Sequence, residues 1–113
     1  MKELVSIVMP VHNAERYLEE AIRSVMTQTY PHWELVIADA SNSDRVKAKC
    51  ETYTDSRIRY IKLKNNAGIS ENTNEGVKEA RGDYIGLLDH DDYLTPDALY
   101  EMASAVEKAR ENG

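Results

Sequence analysis

The acidic string Asp89-His90-Asp91-Asp92 is the segment whose residue types are best suited to chemistry. Asp89 and Asp91 would share one face of an extended chain, whereas a loop could present any two of the three carboxylates, and the spacing alone leaves this choice open. Carboxylate oxygens are ligands that Mg²⁺ and Mn²⁺ prefer, and His90 is not needed because imidazole favours softer metals. The string therefore predicts a divalent cation site. The alternative is that these residues cap a helix or stay solvated.

Three other short segments have a similar polar character and are poor in cations. They are residues 10–13, 39–44 and 65–68. A phosphorylated ligand among such carboxylates would meet like charges at ~4 Å, which costs about 4 kcal/mol per pair at an effective dielectric of ~20. A cation between the charges removes this cost, so a phosphorylated ligand at these segments implies a metal.

Each of these polar segments follows a run of residues typical of a β-strand. Apolar-rich runs predict strands at residues 4–9, 33–38 and 84–88, with the first ended by Pro10 because proline cannot donate to a central ladder, and the alternation of apolar and polar residues predicts a strand at residues 58–61. Apolar residues at three- and four-residue spacing predict helices over residues 14–27, 45–53 and 71–80, and a fourth that starts near residue 96. Asn13 and Thr95 are predicted N-caps, with Pro96 at the first helical position, and Gly82 is predicted to close the third helix.

The alternation of strand and helix predicts the fold class. It favours a single α/β domain over residues 1–113 with an open, mostly parallel, doubly wound sheet and helices on both faces. Ligands of such sheets bind outside the carboxyl ends of the strands, where the strand order switches. The polar segments described above are predicted to lie there.

Composition and missing motifs exclude several functions. The 113 residues carry a formal charge of −6, which argues against binding nucleic acid phosphates. The chain has no G-x-G-x-x-G after its first strand, no phosphate-binding G-x-x-x-x-G-K-[ST] and no G-x-S-x-G. Its longest early apolar run is too short for a membrane span, and no signal-peptide pattern is present. The single Cys50 is predicted to be a buried thiol, which favours the cytoplasm or the cytoplasmic face of a membrane.

Several ordered motifs together resemble family 2 glycosyltransferases of the GT-A fold, over essentially the whole chain. The matching stretches are V-S-I-V-M-P-V-H-N at residues 5–13, Y-L with A-I-R-S-V at residues 17–25, Q-T-Y at residues 28–30, W-E-L-V-I-A-D at residues 33–39, N-A-G at residues 66–68 and G-D-Y-I-G-L-L-D-H-D-D at residues 82–92. The stretch from Leu87 to Leu99 and the S-E-N-T-N segment at residues 70–74 look most like the subgroup that builds O-antigens, rhamnose polymers and other surface polysaccharides.

The resemblance implies a role for particular residues of this sequence. Nucleotide base and ribose contacts would come from Pro10, Val11, His12, Asn13 and Asp39, with Glu15 beside them, and the donor-facing loop would contain Asn66 and Gly68. Asp89 and Asp91 match the outer positions of the family's D-x-D signature. This implies that Asp91 binds Mn²⁺ or Mg²⁺ directly and that Asp89 lies nearer the ribose or diphosphate.

The implied reaction is transfer of a sugar, with inversion, from a nucleotide-sugar to an acceptor hydroxyl on a glycan or lipid-linked acceptor. In the family, the acceptor site and the general base lie beyond the D-x-D, which here means beyond Gly113. The chain is therefore expected to be the N-terminal donor-binding half, inactive alone. A sheet edge exposed by truncation would favour a homodimer.

The sequence departs from the family pattern at two positions. Ala40 stands where a second Asp is common, and His12 stands where Tyr is common. Without that second carboxylate the base of the donor stays open between uridine, thymidine and another nucleoside.

Two other classes of protein share some of these features. A metal-binding signalling domain of receiver type would need an acidic pair after the first strand, where this chain has residues 10–13. A catalytically inert structural domain would bind metal weakly or not at all.

Overall fold

The computed structural model describes residues 3–13, 15–64, 68–89 and 92–112, without the side chains of residues 15, 16, 69 and 112. In chain order its elements are β1 (Val5–Val11), α1 (Glu15–Met26), β2 (Trp33–Asp39), α2 (Arg45–Cys50), β3 (Ile58–Lys62), α3 (Ile69–Glu79), β4 (Tyr84–Leu87) and α4 (Ala98–Asn112). The alternation predicted from the sequence is confirmed.

The four strands form one parallel sheet in the order β3-β2-β1-β4. The chain runs outward from β1 through β2 to β3 and then returns to place β4 on the other side of β1. The strand order therefore switches between β1 and β4, and the open α/β class predicted from the sequence is confirmed. The carboxyl ends of β1 and β4 border the crevice where such sheets bind ligands.

The two faces of the sheet pack against different helices. Odd-numbered residues of β1 and β2 join α1, α2 and α4 in one hydrophobic core, where Met9, Leu35 and Ile37 are fully buried. On the other face α3 approaches so closely that a Cβ added to Gly76 would lie 2.5 Å from Val8 Cγ1. Helices thus cover both faces, as predicted, and Gly76 is where α3 meets the sheet.

The prediction that β1 stops at Pro10 was wrong. Pro10 lies within β1, in register with Ala38 of β2, and the strand continues to Val11. Val11 O accepts a hydrogen bond from Ala40 N on the β2 side, whereas Val8 O accepts from Leu88 N on the β4 side. Since alternate residues face opposite neighbours, Pro10 faces β4, whose pairing with β1 ends at Leu87. The missing N–H of Pro10 therefore costs no ladder bond.

Gly82 does not close a helix. α3 ends at Glu79, and Ala80 is already extended, with ψ 137°. Gly82 N donates to Ser6 Oγ at 2.7 Å. A Cβ added to Gly82 would lie 2.7 Å from both Leu4 O and Ser6 N. Glycine is required here because the chain crosses directly against the backbone of β1.

Asn13 and Thr95 are not the N-caps of α1 and α4 that the sequence predicts. α1 begins at Glu15, two residues after Asn13, whose φ of +52° is in the left-handed region rather than that of an N-cap. α4 begins at Ala98, whose N–H donates to Thr95 O at 3.1 Å. Pro96 is thus in a turn before the helix and not at its first position.

A buried ionic network joins the sheet to the end of α3. Ser6 Oγ donates to Glu34 Oε2 at 2.5 Å and Arg81 N donates to the same oxygen at 2.6 Å. Arg59 Nη1 lies 3.3 Å from Glu34 Oε1 and also donates to Glu79 O. Burial alone would raise the pKa of Glu34, but these hydrogen bonds and the charge of Arg59 outweigh it and lower the pKa below its usual value.

The lowered pKa of Glu34 predicts a loss of stability in acid. A carboxyl group whose pKa is lower in the folded state stabilises the fold above its unfolded pKa of about 4.3, and this contribution disappears as the pH falls through the folded value. We expect the free energy of unfolding of Glu34→Gln to depend less on pH below about pH 5 than that of the wild type. Urea unfolding between neutral pH and pH 3 measures this. The exposed control Glu111→Gln should keep the wild-type slope, and an unchanged slope in Glu34→Gln would contradict the prediction.

Cys50 is a free thiol that is only 6% exposed, as the sequence predicts. Burial and the nearby charge of Asp39 raise its pKa to about 11. It packs on the core side of α2.

No helix in the described part of the chain is both long and apolar enough to cross a bilayer.

Candidate functional site

An open groove of about 410 Å³ lies where β1 and β4 end. Pro10 lines it from β1, Leu87 and Asp89 line it from β4, and the first turns of α3 contribute Ser70, Thr73 and Asn74. Asp89 is exposed. The groove thus combines a carboxylate with hydroxyl and amide groups at the switch point of the sheet.

The loops that follow β1 and β2 are bound to each other beside this groove. Asn13 N donates to Ser41 Oγ at 2.7 Å, and Asn13 Oδ1 accepts from Asn42 N at 3.0 Å. Asparagine tolerates the left-handed conformation better than most residues, which suits the φ of Asn13. The side chain of Asn13 therefore holds the β2–α2 loop, which the sequence did not predict.

Asp39 ends β2 with a side chain that is 0% exposed. Its Oδ1 accepts from Ser41 N at 2.9 Å. Its Oδ2 accepts from Tyr60 Oη and lies 3.6 Å from Lys62 Nζ. Burial, together with the hydrogen bond to this carboxylate, raises the pKa of Tyr60 far above its usual value. Both oxygens of Asp39 are thus engaged within the protein.

The segment after β4 is anchored to the end of α1. Gln28 Nε2 donates to Thr95 O at 2.6 Å, and Gln28 Oε1 accepts from Leu99 N at 2.9 Å. Ser24 Oγ accepts from Leu94 N at 3.0 Å. These contacts give a structural role to the Q-T-Y stretch, because they fix the chain that follows the acidic string.

The structure brings some of the site residues suggested by the sequence together and leaves others apart. Pro10 and Asp89 share the groove, while Asn13 and Asp39 are connected through Ser41. His12 is exposed, and the side chain of Val11 is 1% exposed and packs in the core, so only its backbone lies at the sheet edge. Gly68 precedes α3 with φ +97°, and Glu15 is the first residue of α1. Asn66 and Asp91 lie outside the described residues.

Some residues at this edge were missed by sequence reasoning. Ser70, Thr73 and Asn74 follow the i, i+3, i+4 spacing of one helix face, and that spacing could have revealed them. Tyr60 and Lys62 alternate along β3, but their contacts with Asp39 depend on the β2–β3 register, which places Lys62 beside Asp39.

The groove fits a hard divalent cation in the chemistry of its donors. Asp89 supplies carboxylate oxygen, Ser70 and Thr73 supply hydroxyls, Asn74 supplies an amide oxygen, and the described lining contains no Lys or Arg. Within residues 3–13, 15–64, 68–89 and 92–112, no group of three His, Cys, Asp or Glu side chains is placed to hold an ion. A cation here would thus complete its shell with ligand phosphates and water.

Comparison with known proteins identifies related sequences. The family model described as Glycosyl transferase family 2 matches residues 6–113. The UDP-Glc:alpha-D-GlcNAc-diphosphoundecaprenol beta-1,3-glucosyltransferase WfgD of Escherichia coli is 40% identical over 105 residues, covering 93% of this chain and 42% of WfgD. The chain therefore spans less than half the length of this curated relative.

Solved structures share the same fold. S. aureus TarS 1-349 in complex with UDP-GlcNAc superposes with a TM-score of 0.85 at 24% identity, over 93% of this chain and 31% of that protein. Mannosyltransferase PcManGT from Pyrobaculum calidifontis in complex with GDP-Man and Mn²⁺ gives a TM-score of 0.78 at 23% identity, over 94% of this chain and 32% of that protein.

Proposed function

The chain belongs to glycosyl transferase family 2, and from that premise we propose that it is the donor-binding domain of an enzyme of cell-surface polysaccharide synthesis. The enzyme would transfer a sugar from a nucleotide-sugar to an acceptor hydroxyl, with inversion and with the help of Mn²⁺ or Mg²⁺. Family membership favours this function over a receiver-type signalling domain or an inert structural domain.

One observation carries the proposal. The carboxyl ends of β1 and β4 meet α3 in a single open groove that contains Pro10 and Asp89, at the switch in strand order. The linked loops that contain Asn13 and Ser41 lie at the same edge of the sheet. A polar, cation-poor groove at the switch point suits a nucleotide whose phosphates are neutralised by a metal ion.

Each part of the donor has proposed partners. The exposed His12 and Asn13, together with Pro10 and the backbone of Val11, would bind the nucleoside, with Asp39 behind them and Glu15 beside them. Asp89 and Asp91 would hold the cation next to the diphosphate. Asn66 and Gly68 would face the donor from the segment before α3. A bound divalent cation would stabilise the negative charge of the leaving diphosphate.

The structural relatives support nucleotide-sugar and metal binding as proposals for this chain. TarS was solved with UDP-GlcNAc, and PcManGT was solved with GDP-Man and Mn²⁺.

The acceptor would be a glycan or a lipid-linked sugar bound by sequence beyond Gly113, which would also supply the general base. The free, buried thiol of Cys50 supports a cytoplasmic location.

Calorimetric titration of UDP, dTDP and GDP into the chain, each with and without Mn²⁺, tests the proposal. We expect one nucleotide to bind in the presence of Mn²⁺ and to bind much more weakly without it. The preferred nucleotide would identify the base, which Ala40 leaves open. Absence of binding by all three nucleotides in Mn²⁺ would overturn the proposal for this domain.

A further inference from the structure

Lys62 of β3 contacts the β2–α2 loop that holds Asn13, and Tyr60 of β3 contacts Asp39 at the start of that loop. Neither residue belongs to the proposed donor contacts. We propose that Tyr60 and Lys62 are positioning residues for nucleotide binding, because they hold the β2–α2 loop and through it Asn13 in the conformation that binds the nucleoside. This inference rests on the proposed function and names the residues that set the shape of its site.

Lys62 ties the loop to the end of the sheet. Its Nζ donates to Ser41 O at 2.8 Å and to Ser43 O at 3.0 Å, and lies 3.6 Å from Asp39 Oδ2. The ammonium group thus gathers two loop carbonyls and one buried carboxylate around a single charge. A hydrogen bond from a charged donor is stronger than one from a neutral donor, so the ammonium group holds the loop firmly at its centre.

Tyr60 acts on the same loop through Asp39. The Tyr60 hydroxyl donates to Asp39 Oδ2, while Asp39 Oδ1 accepts from Ser41 N at 2.9 Å. The carboxylate is therefore fixed from one side by Tyr60 and orients the backbone of Ser41 from the other. Asp39 is fully buried, so this orientation does not depend on solvent.

Ser41 passes this orientation to the β1–α1 loop. Ser41 Oγ accepts from Asn13 N at 2.7 Å, and Asn42 N donates back to Asn13 Oδ1 at 3.0 Å. Asn13 has a left-handed backbone, which is uncommon for a residue other than glycine and persists where its surroundings hold it. A continuous series of hydrogen bonds thus connects β3 to a residue proposed to contact the nucleoside.

The same strand provides a matched control. Arg59 also pairs with a buried carboxylate of β2, Glu34, and is 24% exposed. It lies on the α3 face of the sheet, however, and its contacts with Glu34 and Glu79 lie away from the two loops. Arg59→Met therefore removes a cation from β3 and costs stability without touching the loop that holds Asn13.

The experiment compares Lys62→Met, Lys62→Arg, Tyr60→Phe and Arg59→Met with the wild type. Each protein is tested for thermal unfolding, for affinity toward UDP, dTDP and GDP with Mn²⁺, and for the amide ¹H–¹⁵N resonances of Asn13 and Asn42. Affinity is measured well below the unfolding temperature of each variant. We expect Lys62→Met and Tyr60→Phe to weaken binding about tenfold and to shift both amide resonances. Lys62→Arg, which keeps the charge, should restore most of the affinity.

The readouts separate a positioning role from general stabilisation. Arg59→Met should lower the unfolding temperature while affinity and the two amide resonances stay as in the wild type. Unchanged amide resonances in both Lys62→Met and Tyr60→Phe would overturn the inference, as would equal losses of affinity in Lys62→Met and Arg59→Met. If the wild type binds none of the nucleotides, the proposed function fails, and the amide resonances still decide whether Tyr60 and Lys62 set the conformation of Asn13.

Discussion

Replacing Asp89 with Asn is expected to abolish Mn²⁺-dependent nucleotide binding. Asp89 supplies the carboxylate in the described lining of the groove, next to Pro10 and the polar face of α3. Its neutral amide analogue keeps the size of the side chain but no longer offsets the charge of a divalent ion. We expect affinity to fall at least about a hundredfold, which corresponds to about 2.8 kcal/mol. Asp91→Asn should lose affinity in the same way, since both residues are proposed to hold the cation.

Asp92→Asn is the control for this result. It makes the same change of charge in the same segment, but Asp92 is not among the residues that line the groove. Its affinity should stay within about twofold of the wild type. Titration calorimetry of each variant with the preferred nucleotide and Mn²⁺ measures the difference. Retained binding in Asp89→Asn with loss in Asp92→Asn would place the metal site elsewhere in the acidic string.

Gly82→Ala is expected to cause a large loss of stability. The added methyl group would lie 2.7 Å from the backbone atoms Leu4 O and Ser6 N and 2.5 Å from Ser6 Oγ. Backbone atoms of a central strand cannot move aside without disturbing the whole sheet, so α3 and β4 would have to shift together. We expect the free energy of unfolding to fall by about 3 kcal/mol, against a total of about 5–15 kcal/mol for a domain of this kind.

Urea unfolding followed by circular dichroism measures this loss. Lys108→Ala, an exposed change on α4, should alter stability by no more than about 0.5 kcal/mol. A loss below about 1 kcal/mol in Gly82→Ala would show that the chain can move away from β1 at this point. Because Gly82 lies away from the groove, the folded fraction of the variant should bind nucleotide as the wild type does.

The fold class could be predicted because the pattern of apolar residues follows directly from burial. Strands buried on both faces need continuous apolar runs such as residues 35–38, and amphipathic helices need the spacing seen in α1. The alternating order of strands and helices then allows only a few topologies for the sheet. The same order placed Pro10 and Asp89 at one edge of the sheet, and in the structure both residues line one groove.

Element boundaries were less predictable, because they depend on neighbours distant in sequence. Pro10 can remain in β1 only because β4 ends at Leu87 and leaves that side of the strand without a partner to donate to. Gly82 is needed for its close approach to β1, and no local pattern shows such a contact.

The sequence by itself determined the class of fold, the family and the segments proposed for the site, since these depend on residue types and their spacing. Only the tertiary structure determined which contacts Asp39, Tyr60 and Lys62 make. Their contacts follow from the register between β2 and β3, which brings Lys62 beside Asp39. Register is set by packing across the whole sheet, so hydrogen bonds that depend on it cannot be inferred from spacing along the chain.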